Sequence, residues 1–306
     1  MDHSTNITYL SLEGHVELEK YRYVYFVICL TVYILILCCN VVVLSIIYTS
    51  KSLHEPMYIF IAALLCNALF LTAAFYPKLL SDFLSEKQVL SHGACLFQAF
   101  CLYTCALSEF TLLSAMAYDR YVSICKPLQY ATLVKMSTVK KLLFFCWFIP
   151  SCEMATSIIL TYRQLCKFKL NRIYCSTYSV AKLSCGDITV TNSYGLSALG
   201  IAVCPPVIFI IYSYVRILDV CLKNSKDFRR KALQTCLPHL IIFINFSITA
   251  CFEVINNRFE GSVPHIFDMI MSVENAVIPP LLNPIVYGLK LIKGMIWKRK
   301  THVFAD

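Results

Sequence analysis

Seven long apolar runs, separated by short polar segments, make up most of this chain: residues 24–49, 57–84, 94–124, 141–161, 192–221, 233–256 and 264–288. About 20 apolar residues, coiled as helix, cross the hydrocarbon core of a bilayer. Each run therefore predicts one spanning helix. The fold class expected is an all-α membrane protein, a seven-transmembrane helix bundle. The runs use more than half of the 306 residues and leave no room for a separate soluble domain. A single domain over 1–306 is expected, with 1–23 as an N-terminal segment, 24–288 as the bundle and 289–306 as a tail. Composition agrees: 58% hydrophobic residues, 15% charged and a mean hydropathy of +0.66 are too apolar for a soluble chain of this size.

Charge orients the runs. Lys and Arg collect on the cytoplasmic side of spanning helices. The segment after run three carries Arg120, Lys126, Lys135, Lys140 and Lys141, and the one after run five carries Arg216, Lys223, Lys226, Arg229, Arg230 and Lys231. That places the N-terminus outside and both ends on opposite sides of a plasma membrane. The net charge of +9 then reads as an inner-leaflet signature facing membrane lipid, and not as a nucleic-acid footprint. Run one follows a polar, acidic segment (Asp2, Glu13, Glu17, Glu19) and starts too late for a cleaved signal, so it reads as an uncleaved anchor. Asn6-Ile7-Thr8 is a glycosylation sequon on the outer side, whereas Asn245-Phe246-Ser247 lies inside run six and is expected to stay unmodified. Of 17 cysteines, only Cys95, Cys166, Cys175 and Cys185 fall outside. Four cysteines in an oxidising compartment allow three pairings, and spacing does not choose among them.

Polar residues inside the runs carry the candidate chemistry. Asn40 in run one needs a hydrogen-bond partner, because an unsatisfied polar group in hydrocarbon costs several kcal/mol. Glu109 in run three is a carboxyl at mid-membrane, a functional hypothesis by default. It reads equally as a hydrogen-bond hub and as an ion or proton site. With Asn67 and Asn40 it forms the expected polar core. Glu153 in run four stands near Pro150, which loosens its helix. His239 in run six is either a satisfied core histidine or a pH sensor. Asp119-Arg120 closes run three: a charge in the bilayer core is costly, so the pair marks the membrane edge as a partly desolvated ion pair, and Lys126-Pro127 stops the helix. Such a pair can be kept or broken, as a switch requires. Prolines at 56, 205–206, 238 and 284 punctuate runs two, five, six and seven.

Several stretches together are more specific than any alone. Met116-Ala117-Tyr118-Asp119-Arg120-Tyr121-Val122-Ser123-Ile124-Cys125-Lys126-Pro127-Leu128-Gln129-Tyr130 ends run three, and Leu53-His54-Glu55-Pro56-Met57-Tyr58 opens run two. Lys231-Ala232-Leu233-Gln234-Thr235-Cys236-Leu237-Pro238-His239-Leu240 opens run six, and Asn283-Pro284-Ile285-Val286-Tyr287 ends run seven. They resemble the corresponding stretches of odorant receptors, a branch of the rhodopsin-like class A G-protein-coupled receptors. Ala68 where that family commonly has an acid, with Phe75-Tyr76-Pro77-Lys78, is similar to the fish-type branch. The resemblance implies Cys95–Cys175 and Cys166–Cys185 disulfides that fold residues 162–191 over a pocket mouth. It implies a small-molecule odorant bound by Leu102, Tyr103, Ala106, Leu107, Ala198, Ala202, Cys251 and Val254. It also implies a heterotrimeric G protein, of the olfactory Gs type that raises cAMP. The coupling switch would be built from Asp119, Arg120, Tyr121, Tyr214, Lys231, His239, Asn283, Pro284 and Tyr287. Tyr214 would swing toward Arg120 on activation. After Gly288, Leu289, Ile292 and Ile296 share one face of a short amphipathic helix.

Other classes fit less well. There is no Gly-rich phosphate loop, no paired zinc ligand and no nucleophile elbow, so neither an enzyme nor a cofactor is expected. The absence of a domain-long repeat disfavours many transporters, and the basic inner segments disfavour a seven-helix ligand-gated channel. A non-chemosensory class A receptor is the nearer alternative. A receptor for amines would usually carry an acid on the third helix at pocket level, where Leu102 stands.

Overall fold

The computed structural model describes residues 9–14, 21–258, 273–274 and 276–288. Asn6, the early part of run seven and the tail with its amphipathic helix lie outside them, as do the side chains of Lys231 and Val254. In chain order the helices are α1 (Arg22–Thr49), α2 (Pro56–Leu84), α3 (His92–Cys125), a short α4 (Tyr130–Leu133), α5 (Met136–Thr161), a short α6 (Thr177–Ala181), α7 (Thr189–Lys223), α8 (Lys226–Arg258) and α9 (Ala276–Gly288). Six of these (α1, α2, α3, α5, α7 and α8) are long and apolar enough to cross a membrane, and α9 is the shorter apolar seventh. Helix ends follow local chemistry. Pro56 sits in the first turn of α2, where its missing N–H costs nothing. Ser91 caps α3 by accepting the Ala94 N–H at 3.3 Å.

The surface of the bundle is apolar, and the buried core, itself mainly apolar, encloses a set of polar side chains. Val27, Ile28, Leu35, Phe144, Ile201, Ile211 and Ile248 are exposed. Asn40, Asn67, Ser108, Glu109, Asp119, His239 and Asn283 are buried. An apolar belt around an interior that keeps its few polar groups among apolar packing is what a lipid solvent selects. The chain is a multi-pass membrane protein.

Prolines inside the helices are answered by side chains from neighbouring helices. Pro150 has no N–H for the Cys146 carbonyl one turn earlier, and Thr111 Oγ1 of α3 donates to that carbonyl at 2.9 Å. Pro284 likewise leaves the Pro280 carbonyl without its helical donor, and Asn40 Nδ2 of α1 fills the place at 2.9 Å. Each proline thereby fixes how α5 and α9 sit against the rest of the bundle.

At the end bearing the disulfides, strand β1 (Tyr9–Leu12) runs antiparallel to β2 (Val89–Ser91) and parallel to β3 (Lys169–Leu170), in the order β2-β1-β3. Leu10 and Leu12 point inward and pack with Cys95, Leu96, Leu170, Cys175, Val180 and Leu183. Gly14, in the turn just past the strand, lies against the loop backbone: a Cβ there would stand 2.7 Å from the Ile173 nitrogen. The disulfides join Cys95 to Cys175 and Cys166 to Cys185. The first ties residues 162–188 to the start of α3, and the second closes that loop on itself. Residues 9–14 of the N-terminal segment, expected only as a polar lead-in, are therefore part of the lid.

Candidate ligand site and switch

At mid-height, Glu109 accepts a hydrogen bond from Asn283 Nδ2 at 3.1 Å. Asn67 Nδ2 donates to the Cys105 carbonyl at 3.0 Å, and its Oδ1 accepts from Trp147 Nε1 at 3.2 Å. Asn40 donates to the Ile36 and Pro280 carbonyls. The expected polar core of Asn40, Asn67 and Glu109 is therefore corrected to three separate ties. Asn67 reaches α3 at Cys105, one helical turn of about 5.4 Å before Glu109, so the amide that meets Glu109 comes from α9.

Under the lid lie two chambers. The first, of about 480 Å³, is lined by Leu71, Phe75, Leu102, Tyr103, Ala106, Tyr174, Phe246, Glu253 and Ala276. The second, of about 630 Å³, is lined by Tyr103, Leu107, Glu153, Met154, Ser157, Thr177, Tyr178, Tyr194, Gly195, Ala198 and Leu199. Tyr103 belongs to both and partitions them. Of the residues expected to bind the ligand, Leu102, Tyr103, Ala106, Leu107 and Ala198 line these chambers. Ala202 and Cys251 line neither chamber, and Cys251 is exposed. The cause is helix phase. Phe246, Thr249 and Glu253 are buried at i, i+3 and i+7 on α8, and Cys251 falls about 140° round the helix from Phe246.

Glu253 was not foreseen. The Tyr174 hydroxyl donates to Glu253 Oε1, and Arg172 Nη1 stands 3.6 Å from the same oxygen. Arg172 and Tyr174 belong to the lid, so a buried ion pair ties lid to α8. Burial first, then the Glu253 carboxylate, raise the Tyr174 phenol well above its ordinary pKa, so it remains a donor. The sequence signal was faint: five basic residues in one loop and one acid near the end of run six. Lower on α8, the Phe246 ring packs 4.7 Å from Phe110.

The opposite, basic end holds a cavity of about 310 Å³ lined by Met57, Ile61, Met116, Asp119, Arg120, Thr235, His239 and Tyr287. Arg120 Nε donates to Asp119 Oδ2 at 3.0 Å, with a second contact through Nη2. The Tyr130 hydroxyl donates to Asp119 Oδ1 at 2.7 Å. Burial, then that carboxylate, push the Tyr130 hydroxyl above its usual range. His239 Nε2 lies 2.9 Å from the Leu113 carbonyl, and Nδ1 lies 2.6 Å from the Tyr214 hydroxyl. A carbonyl only accepts, so Nε2 carries the proton and Tyr214 donates to Nδ1. One histidine thus joins α7, α8 and α3. Tyr121 packs elsewhere, with its ring 6.2 Å from Tyr212. Pro284 and Asn283 lie in α9 above Tyr287.

The geometry is that of a bundle with lidded chambers at one end and the Asp119–Arg120 ion pair at the other. Residues 28–305 match the family model described as olfactory receptor. The chain is 31% identical to olfactory receptor 10J5 of Homo sapiens over 290 residues, 94% of this chain and 93% of that protein. It is 34% identical to olfactory receptor 52H1 of Homo sapiens over 262 residues, 85% of this chain and 83% of that protein. It is 32% identical to olfactory receptor 10J5 of Mus musculus over 288 residues, 90% of each. The family are seven-helix G-protein-coupled receptors and not enzymes, and this chain belongs to the olfactory receptor family.

Proposed function

We propose that this receptor binds a small-molecule odorant in the two chambers beneath the lid and, through Asp119 and Arg120, activates a heterotrimeric G protein of the olfactory Gs type that raises cAMP. The observation that carries this is that α3 lines the chambers with Leu102, Tyr103 and Ala106 at one end and carries the Asp119–Arg120 pair at the other. A ligand shifts such a bundle only by binding one state better than the other. In the resting state Asp119 holds Arg120, and His239 holds Tyr214. In the active state α8 moves outward, the His239 bonds break, and Tyr214 and the G protein take up the guanidinium.

The receptor sits in the plasma membrane with its N-terminus and lid outside. Support comes from the basic loops at the switch end and from disulfides, which persist in oxidising compartments. Asn6 carries the glycan, and membrane lipid covers the apolar belt. The test is odorant-driven cAMP in cells bearing Arg120→Ala. Loss of the response at normal surface expression is expected; an undiminished response overturns the switch.

A further inference from the structure

The chamber bounded by α3, α5, α7 and the lid contains a carboxylate that the receptor mechanism does not use. Glu153 of α5 lines it together with Tyr103, Tyr178 and Tyr194 and the hydroxyls of Ser157 and Thr177. The Tyr194 hydroxyl donates to the Glu153 main-chain carbonyl at 3.2 Å, which holds that ring beside the carboxylate. Among the described residues no lysine or arginine forms an ion pair with Glu153, in contrast to Glu253, which has Arg172. A half-buried carboxylate within a bundle is costly without a counter-charge. Tyrosine faces attract cations within about 6 Å of the ring centre. The ring of Tyr178 already has the Lys182 ammonium 4.7 Å from its centre, and Tyr194 and Tyr103 are the other rings that line the chamber with Glu153. Leu107, Met154, Ala198 and Leu199 supply an apolar wall for the rest of a molecule.

We propose that this chamber is a site for a small organic amine, bound as its ammonium ion between the Glu153 carboxylate and the tyrosine rings, with a compact apolar body against α3 and α7. A primary aliphatic amine is protonated at neutral pH, as a lysine side chain is. Leu102, at the position where amine receptors place an acid on the third helix, lines the other chamber, and here the counter-charge comes from Glu153 of α5. This inference rests on the reading of the chambers as the ligand site.

The test uses three probes with one aromatic ring and a two-carbon tether: 2-phenylethylamine, 2-phenylethanol and 3-phenylpropanoate. Binding to the full-length receptor in nanodiscs is read as thermal stabilisation, which needs no G protein, and cAMP is followed in parallel. The amine is expected to bind roughly ten- to hundredfold more tightly than the alcohol, the range for a hydrogen bond to a charged group, and the acid to bind weakest. Glu153→Gln should remove the advantage of amine over alcohol, and Glu153→Asp should keep part of it. The proposal falls if the alcohol or acid binds as well as the amine, if the amine fails to bind folded wild-type receptor, or if Glu153→Gln leaves the amine-to-alcohol ratio unchanged. Amine-induced stabilisation without any cAMP would count instead against the assigned signalling, which keeps the two readings separable.

Discussion

Two side chains show how single hydrogen bonds set helix positions in this bundle. Thr111 and Asn40 each donate to the carbonyl that a proline has orphaned, at Cys146 and Pro280. Side-chain hydrogen bonds between membrane helices are worth about 0.6 kcal/mol on average and about 1.7 at most, so a lone deletion is a blunt instrument. A cycle is sharper. Thr111→Val should lower the thermal midpoint of the purified receptor by the equivalent of about 1 kcal/mol. In a Pro150→Ala background the restored N–H satisfies Cys146, and the same substitution should cost far less. Equal costs in both backgrounds would show that Thr111 is not answering the proline. Tyr130→Phe is a second residue-scale case. It removes one of the two partners of Asp119 and leaves the ion pair with Arg120. Ligand-free cAMP is expected to rise about two- to fivefold, for a change of about 0.5–1 kcal/mol in the resting state. An unchanged basal signal at equal surface density would mean that Asp119 is held without Tyr130. Sequence alone pointed to Asp119, Arg120 and His239, because charge and imidazole in an apolar run are conspicuous. Tyr130 closes the same stretch, but nothing in its spacing from Asp119 assigned it a role, and the Leu113 carbonyl is a main-chain atom that carries no local signal.

At the scale of elements, what was legible followed period and punctuation. Apolar runs of more than 20 residues left α1, α2, α3, α5 and α7 little freedom, and each helix lies where its apolar run lies, with Pro56 marking the start of α2. The phase of α8 was harder, because its residues are apolar on most faces. Cys251 and Glu253 are two positions apart, so a register carried over from the family was enough to misplace the lining. Strand β1 was missed for a different reason. Tyr9-Leu10-Ser11-Leu12 alternates correctly for a strand, but four residues are too few to declare it, and its partners are 80 and about 160 positions away. Gly14 is the hinge on which this element turns. Since a Cβ would collide with the Arg172–Ile173 backbone, Gly14→Val is expected to destabilise the lid by about 1–3 kcal/mol through overpacking. It should accelerate hydrogen exchange at Leu10–Leu12 and Lys169–Leu170 while the amides of α3 stay protected. Exchange unchanged at those strands would mean that β1 does not need the close approach.

On the scale of the whole molecule, α8 is held at both ends by buried polar contacts. Near the chambers Glu253 meets Arg172 and Tyr174 of the lid, and near the switch His239 meets Tyr214 and the Leu113 carbonyl. Pro238 lies inside the helix beside the lower tie. If α8 moves as one body, loosening the upper tie must shift the lower equilibrium, because the two restraints act on the same rotation. Removing only Arg172 would take a cation from a buried carboxylate, a change that costs up to about 3–5 kcal/mol and endangers expression. Neutralising both partners avoids that cost. The double variant Arg172→Gln with Glu253→Gln keeps hydrogen-bonding shape for Tyr174 and removes the ion pair. It is expected to reach the cell surface and to raise ligand-free cAMP about fivefold, the population change for about 1 kcal/mol. Arg172→Ala alone is expected to reach the surface poorly. If the double variant arrives in normal amount and signals at the wild-type basal level, the lid and the switch are not coupled through α8, and the odorant must reach Arg120 along α3 instead.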